Sequence, residues 1–129
     1  MGAADIVHRT GSDSTGADPL LNQRGPARIV LAEHKAPVYA KSGLALLTSS
    51  IRRPPPEILD PQIHHANLLN SILAKVEANH AGADDALMLD TRGFVAKTNA
   101  THLFFVRQNE VATSRVVACP AGITRATIL

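Results

Sequence analysis

The sequence contains few large aromatic side chains: no tryptophan, one tyrosine and three phenylalanines among 129 residues. Because aromatic rings supply much of the buried area in many cores, any core of this chain must be mainly aliphatic. Hydrophobic residues make up 45% of the chain and charged residues 19%, which is an ordinary globular balance. The length predicts one modest domain, or part of a larger one.

Cysteine is almost absent as well. The lone Cys119 excludes an internal disulfide and offers no cysteine cluster for a metal, which fits a reducing compartment. We expect this side chain to serve in packing.

Long apolar runs and basic runs are also missing. No stretch approaches the roughly 18 apolar residues that a membrane span needs, and residues 1–5 lack the features of a signal peptide. We therefore expect a cytoplasmic protein with no membrane partner. The formal net charge is only +2, and no basic run exceeds the pair Arg52 and Arg53, so nucleic acid is not an expected partner.

The composition changes near residue 26. Residues 1–26 are rich in Gly, Ser, Asp, Thr, Ala and Pro and contain little to bury, which predicts a flexible N-terminal tail. An ordered loop is the alternative. Residues 27–129 would then form the folded part.

Apolar patterns within residues 27–129 predict the order of the elements. Residues 27–32 and 44–49 are short apolar runs typical of buried strands, although the first could be helical. The run of three prolines at 54–56 predicts an extended surface connection over 52–61, or alternatively a peptide ligand. A long helix is predicted over 62–80, with Gly82 ending it and with one apolar face formed by Leu69, Ile72, Leu73 and Val76.

The C-terminal third is predicted to be mostly strands. Residues 86–90, 94–96 and 102–107 read as an antiparallel meander, and 111–113 as one further strand. A helix is predicted to start after Gly122, with Thr124 as a possible cap. Since a domain rarely stops in the first turn of a helix, we expect either truncation or a chain that completes its fold with something absent here.

Four stretches in a fixed order carry a family resemblance: 67–78 (NLLNSILAKVEA), 82–90 (GADDALMLD), 93–105 (GFVAKTNATHLFF) and 122–125 (GITR). Several motifs in a fixed order are more specific than any one motif alone. Together they resemble the class IV pyridoxal-phosphate aminotransferases, the fold-type IV group with branched-chain and D-amino-acid aminotransferases and aminodeoxychorismate lyase.

The resemblance implies an α+β fold, with 27–129 as a fragment of the family's larger domain, built from antiparallel strands and one long helix. It implies an enzyme that transfers an amino group between an amino acid, of branched-chain or D-amino-acid type, and a 2-oxo acid. Pyridoxal 5'-phosphate is the implied cofactor, and a homodimer is the implied assembly. The family's smaller N-terminal domain has no recognisable counterpart before residue 27, and the rest of the large domain would lie beyond Leu129.

Two positions depart from the family pattern. The lysine that forms the family's Schiff base falls on His64, and imidazole cannot form that link because it has no primary amine. Lys41 and Lys75 lie outside the motif. The glutamate that pairs with the pyridine nitrogen falls on Lys97, where a cation would disfavour the protonated ring. The resemblance thus implies impaired transamination and a cofactor without a covalent link.

Smaller departures lie close by. His102 stands where the family usually has asparagine, and Pro120 and Ala121 replace the usual Leu-Pro pair before the motif at 122–125. The phosphate-binding segment is better kept, because Gly122 permits close backbone approach and the amides of Ile123 and Thr124 at a helix start suit an anion. The second hypothesis is therefore a non-catalytic relative that binds pyridoxal phosphate or another phosphate, or a partner subunit.

Simpler readings remain open for several residues. The histidines at 64 and 65 could be a catalytic pair, or metal ligands together with His80 and His102, but adjacent helix residues point about 100° apart and no ligand follows at i+4. No metal is predicted. Lys97 could be an ordinary strand lysine with its amine in solvent. Asn99 and Thr101 could lie near a cofactor, but the preference of these residues for turns explains them equally well.

Overall fold

The computed structural model describes residues 2–11, 23–34, 39 and 42–129. The chain divides into two compact units, Met1–Tyr39 and Ala40–Leu129. The described elements mix helices with antiparallel and parallel strand pairs, so the predicted α+β class is confirmed.

The first unit contains a two-stranded antiparallel sheet of β1 (Gly2–Gly11) and β2 (Gln23–Glu33). The strand predicted at 27–32 lies within β2. At 2–11, however, the structure has a paired strand where composition predicted a flexible tail. The ladder explains the difference, because the backbone groups of 2–11 pair with those of β2, with Ile6 in register with Ile29.

Residues 23–26 of the predicted tail belong to β2, and residues 1 and 12–22 lie outside the described residues. The assignment of 27–129 to a partial large domain stays a prediction.

The second unit is built on a three-stranded sheet. It consists of β3 (Leu46–Thr48), β4 (Asp85–Leu89) and β5 (Val95–Thr98), in the order β3-β4-β5. β3 runs parallel to β4, and β5 runs antiparallel to it. The parallel pair needs a crossover, and α1 (Leu69–His80) provides it and packs on β4.

The inward face of α1 is made of small residues. Ser71, Ala74 and Ala78 are buried, and the two alanines join Ala86 and Met88 in the core. The core is therefore aliphatic, as predicted. The apolar stripe that predicted this helix points elsewhere, since its members are 42–60% exposed: Leu69, Ile72, Leu73 and Val76.

The helix starts seven residues later than predicted. Around Asp60 the chain forms a turn instead, in which the amide of Gln62 donates to the Asp60 carboxylate at 2.9 Å and the amide of Ile63 donates to the Asp60 carbonyl at 3.1 Å. Such local bonds compete with the helical ladder and hold 60–63 in a turn.

The helix ends as predicted at Gly82, which has a φ of 72°. The amide of Gly82 donates to Asn79 at 3.1 Å, and the amide of Ala83 donates to Ala78 at 2.9 Å. This pair of bonds is the Schellman arrangement, which requires a left-handed residue and so favours glycine.

The predicted surface connection at 52–61 is partly buried. The amide of Arg53 donates to the Leu89 carbonyl at 2.9 Å, which continues the contact between β3 and β4 beyond the end of β3. Arg53 is only 9% exposed, and Pro61 is fully buried. Part of this proline-rich segment therefore belongs to the core of the unit.

The predicted meander is interrupted. β6 (Phe104–Arg107) and β7 (Glu110–Thr113) form a separate antiparallel hairpin, and β5 and β6 lie in different sheets. The reason lies in the intervening turn, where the Thr98 hydroxyl accepts the Ala100 and Thr101 amides at 3.2 and 2.8 Å. These bonds redirect the chain after β5.

The last described element is α2 (Ile123–Ile128). Its N-cap residue is Gly122, and no described side chain caps it, so Thr124 does not take the capping role that the sequence suggested. Cys119, a few residues earlier, is fully buried, in line with the predicted packing role.

One carboxylate links α1 to the end of β3. Glu77 accepts hydrogen bonds from the Ser49 hydroxyl and, at 3.0 Å, from the Ser50 amide, and these bonds lower the pKa of Glu77. A depressed carboxyl pKa gives stability that is present above the unfolded pKa and is lost as the pH falls through the folded pKa.

We therefore expect urea unfolding midpoints of the Glu77→Gln variant to depend less on pH across this acidic range than those of the unchanged chain. Identical pH profiles for the two proteins would contradict a role of these hydrogen bonds in stability.

Candidate functional site

A cavity of about 530 Å³ lies beside the N-terminal end of α1. One part of its wall is apolar and includes Ile58, Leu59 and Leu73. The polar part includes five residues from four segments: Arg53, His64, His65, Ser71 and Lys97. This volume is in the range that small-molecule sites in proteins occupy.

His64 lies in the segment that precedes α1, and it is exposed at the cavity wall. His65 lines the same cavity, and its buried Nδ1 atom has no hydrogen-bond partner among the described residues. Either imidazole can exchange a proton or accept a hydrogen bond there, but neither supplies a primary amine.

Lys97 lies on β5 and lines the same cavity as His64. Its Nζ atom donates to the Ala100 carbonyl at 3.2 Å. Burial, and then the nearby charge of Arg53, lower the pKa of Lys97, while Cys119 has a smaller opposite effect. The structure thus brings together two residues that the sequence analysis singled out.

The charge of Lys97 should cost stability. Because its folded pKa lies below the unfolded value, the penalty is full below the folded pKa and disappears as the pH rises through the unfolded pKa. We expect Lys97→Met to raise the free energy of unfolding by about 1 kcal/mol at pH 7, a modest figure because the side chain is only half-buried. Urea titrations at pH 7 and pH 10 would show the gain shrinking at the higher pH. A gain of equal size at both values would contradict this origin.

Arg53 is a site residue that the sequence analysis missed. Its Nε donates to the Ala118 carbonyl at 2.9 Å and its Nη1 donates to the Ser71 hydroxyl at 3.0 Å. Burial lowers the pKa of this guanidinium, which nevertheless stays protonated. A signal did exist, since Arg53 shares the period-two face of the buried Ser49 along an extended segment.

The predicted phosphate-binding residues lie at the start of α2. Gly122 has a φ of 73°, and a Cβ at this position would come within 2.5 Å of His102 Nε2. Ile123 and Thr124 are exposed, and the cavity wall reaches Pro120 but not these residues.

His102 lies beside Gly122, in the predicted phosphate-binding region. Burial, and then the charges of Lys97 and Arg125, lower the pKa of this imidazole and favour its neutral form. Its Nδ1 atom is buried, and no group in the described part of the chain bonds to it.

Asn99 also lines the cavity, but its side chain, like that of Lys75, is engaged in structural contacts. Asn99 accepts the Ala86 amide through its side chain at 2.9 Å and donates its own amide to the Ala86 carbonyl. Lys75 donates to the Asp84 carbonyl and lies 3.7 Å from the Asp85 carboxylate. Lys41 lies outside the described residues.

Two further properties concern the described part of the chain. Among the described residues, no group of three or more His, Cys, Asp or Glu side chains is arranged to hold a metal ion. Among the helices in this part, none combines the length and apolar character that crossing a membrane requires.

Similarity to known proteins shows the family of the chain. The amino-transferase class IV family model matches residues 4–129. The chain is 50% identical over 117 residues to the branched-chain-amino-acid aminotransferase-like protein 2 of Arabidopsis thaliana. It is 34% identical over 125 residues to a putative branched-chain-amino-acid aminotransferase of Methanocaldococcus jannaschii.

Solved structures agree with this family. The branched-chain amino acid aminotransferase of Thermobaculum terrenum, in its PLP form, superposes with a TM-score of 0.83 at 27% identity, covering 98% of this chain and 41% of that one. The chain therefore belongs to the class IV aminotransferase family. Within that family, the relatives named here are of the branched-chain type or are named as similar to it.

The match covers part of each relative. The alignments take in 90% of this chain but 21% of the Arabidopsis protein, and 96% of this chain but 43% of the Methanocaldococcus protein. The chain thus has the fold of a fragment of the longer solved structures, as the resemblance implied.

Proposed function

We propose that this chain forms part of a small-molecule site of the branched-chain aminotransferase type in which amino-group transfer is impaired. One observation carries the proposal: His64 and Lys97, at the two positions where the resemblance implies a lysine and a glutamate, line a single cavity. Their shared cavity supports reading both positions as parts of one site.

The residues present do not fit a covalently held pyridoxal phosphate. When bound, that cofactor supplies an electron sink for carbanion chemistry. At the implied position of the Schiff-base lysine, His64 offers no primary amine, and at the implied position of the glutamate, Lys97 would set a cation against a protonated ring nitrogen. With these residues the cofactor could be bound only without a covalent link, and its capacity as an electron sink would be weakened.

The substrate class follows from the wall of the cavity together with the names of the relatives. Apolar side chains such as Ile58, Leu59 and Leu73 suit a branched aliphatic group, and the relatives are named as branched-chain aminotransferases or as similar to them. An amino acid and its 2-oxo acid are thus the proposed ligands. A homodimer in the cytoplasm is the proposed setting, as for the family.

Restoring the two family residues tests the proposal. We expect the double variant His64→Lys, Lys97→Glu to gain transamination when its remaining domain is supplied, for example in a chimera with the C-terminal part of the Methanocaldococcus relative. General acid, base and covalent steps typically contribute 100-fold or more each, so a rise of about 100-fold over the unsubstituted chimera is expected. The measurement is 2-oxo acid formation from leucine with added pyridoxal phosphate.

The single variants serve as matched controls. His64→Lys alone should regain the covalent link with little turnover, and Lys97→Glu alone should gain neither. Turnover by the unsubstituted chimera at the level of the double variant would show that positions 64 and 97 are not the reactive ones.

The second candidate function is cofactor or phosphate binding without catalysis. The positive φ of Gly122 and the exposed start of α2 at Ile123 and Thr124 favour it, because the first amides of a helix have no acceptor within the helix and can meet an anion. Added pyridoxal phosphate should then change the absorption spectrum, and dialysis should reverse the change. A chromophore fixed to a lysine by borohydride would instead favour the enzyme.

A further inference from the structure

The cavity beside α1 has a one-sided charge. Two cationic side chains, Arg53 and Lys97, contribute to its wall, and none of the described residues that line it is an aspartate or glutamate. Arg53 is itself 91% buried, since only 9% of its surface is exposed. A buried cation normally has an acidic partner, so a pair of cations without one requires another source of negative charge.

Both cations also have donor capacity that the described part of the protein does not use. The hydrogen bonds of Arg53 to Ala118 and Ser71 occupy Nε and Nη1, which leaves Nη2 for a ligand. The ammonium of Lys97 has three donors, and one of them meets the Ala100 carbonyl at 3.2 Å. Uncharged acceptors therefore hold both groups in place without neutralising either.

We propose that this cavity binds a small oxyanion, a carboxylate or a phosphate group, between Arg53 Nη2 and Lys97 Nζ. The inference deepens the proposed function, on whose cavity it rests, by naming the chemistry of the ligand. It reverses the polarity that the family resemblance implies at position 97, where a glutamate would face a cationic ring nitrogen.

Neighbouring groups do not offset the positive charge of the cavity. Burial raises the pKa of the Cys119 thiol, so this neighbour stays neutral and supplies no internal counter-charge. The first turn of the 12-residue helix α1 also lines the cavity, and it has neither an acidic residue nor a cap from any described side chain. Its free amides add to the positive potential around the two cations.

The test is a titration of the 129-residue chain, without pyridoxal phosphate, with pyruvate in one arm and inorganic phosphate in the other. Sodium chloride holds the ionic strength constant, and backbone amide shifts of β5 report binding. We expect saturable shifts in at least one arm and a loss of about tenfold or more in affinity in Lys97→Met, since charged hydrogen bonds are the strong ones. The arm with the higher affinity identifies the class of oxyanion.

Lys75→Met is the matched control, because Lys75 is also a lysine beside the sheet but bonds to Asp84 and Asp85 away from the cavity wall. It should bind as the unchanged chain does. Equal affinity in the unchanged chain and in Lys97→Met, or no saturable shift in either arm, would overturn the proposal.

Lys97→Glu gives a second, independent check, since a carboxylate at this place should abolish binding of both anions. Retained binding would overturn the proposal. Because every measurement keeps His64 and omits the cofactor, its outcome is separate from that of the transamination experiment.

Discussion

The Arg53→Met variant should lose about 3 kcal/mol of stability, because it leaves two buried hydrogen-bond partners without a donor. Arg53 connects the segment after β3 to Ser71 on α1 and to the Ala118 carbonyl. Methionine fills much of the space of the aliphatic stem, so the loss reports chiefly on the polar contacts. Urea unfolding of the 129-residue chain, followed by circular dichroism, measures it.

The adjacent Arg52 provides the control for Arg53. Its side chain is exposed, and its Nη1 donates to the Ser49 carbonyl at 2.6 Å. Arg52→Met should therefore change stability by no more than about 0.5 kcal/mol. Equal losses in the two variants would mean that the buried contacts of Arg53 add little beyond those of a surface arginine.

Sequence patterns predicted those helices and strands that are determined mainly by neighbouring residues. The strands at 86–90, 94–96 and 111–113 correspond to β4, β5 and β7, and Gly82 ends α1 through a motif that needs a left-handed residue. Alternating polarity and turn residues are properties of a few neighbours, so one sequence suffices to read them.

Pairing between distant segments was harder to predict. Composition at 1–26 gave no sign that 2–11 pairs with β2, because a ladder depends on the partner strand as much as on the strand itself. The sequence predicts too early a start for the long helix for a related reason. The hydrogen bonds of the turn around Asp60 outweigh the helix propensity of 62–68.

The apolar stripe of α1 illustrates a third limit. Periodicity showed correctly that Leu69, Ile72, Leu73 and Val76 share a face, but that face is exposed in the described part of the chain, and the packed face is made of small residues. A hydrophobic pattern shows that a helix is amphipathic. It does not show which face a particular neighbour covers.

The candidate site was predicted in part. His64 and Lys97 stood out only because the family resemblance marked their positions, and the structure places both on one cavity. Arg53 lies in the segment 52–61, which its prolines mark as a surface connection, and the period-two pattern that it shares with Ser49 indicates burial but no partner. Its role depends on a contact 65 positions away at Ala118, which no local pattern encodes.

Gly122→Ala is expected to lower the free energy of unfolding by about 3 kcal/mol, from backbone strain and a steric clash together. The φ of 73° is one that alanine adopts poorly, and the added Cβ would stand 2.5 Å from His102 Nε2 and 2.8 Å from its Cδ2. His102 must move away or the turn before α2 must open.

Gly93 allows the two causes to be separated. It has a φ of 88°, but a Cβ there would meet no described atom within 4 Å, so Gly93→Ala should show the backbone strain alone, about 1 kcal/mol. In a background with His102→Ala, the cost of Gly122→Ala should fall to that same level, because the clashing imidazole is gone. Urea unfolding of the unchanged chain, the two single variants and the double variant at positions 102 and 122 measures the coupling. If the cost of Gly122→Ala were the same with and without the imidazole, the contact between Gly122 and His102 would play no part in stability.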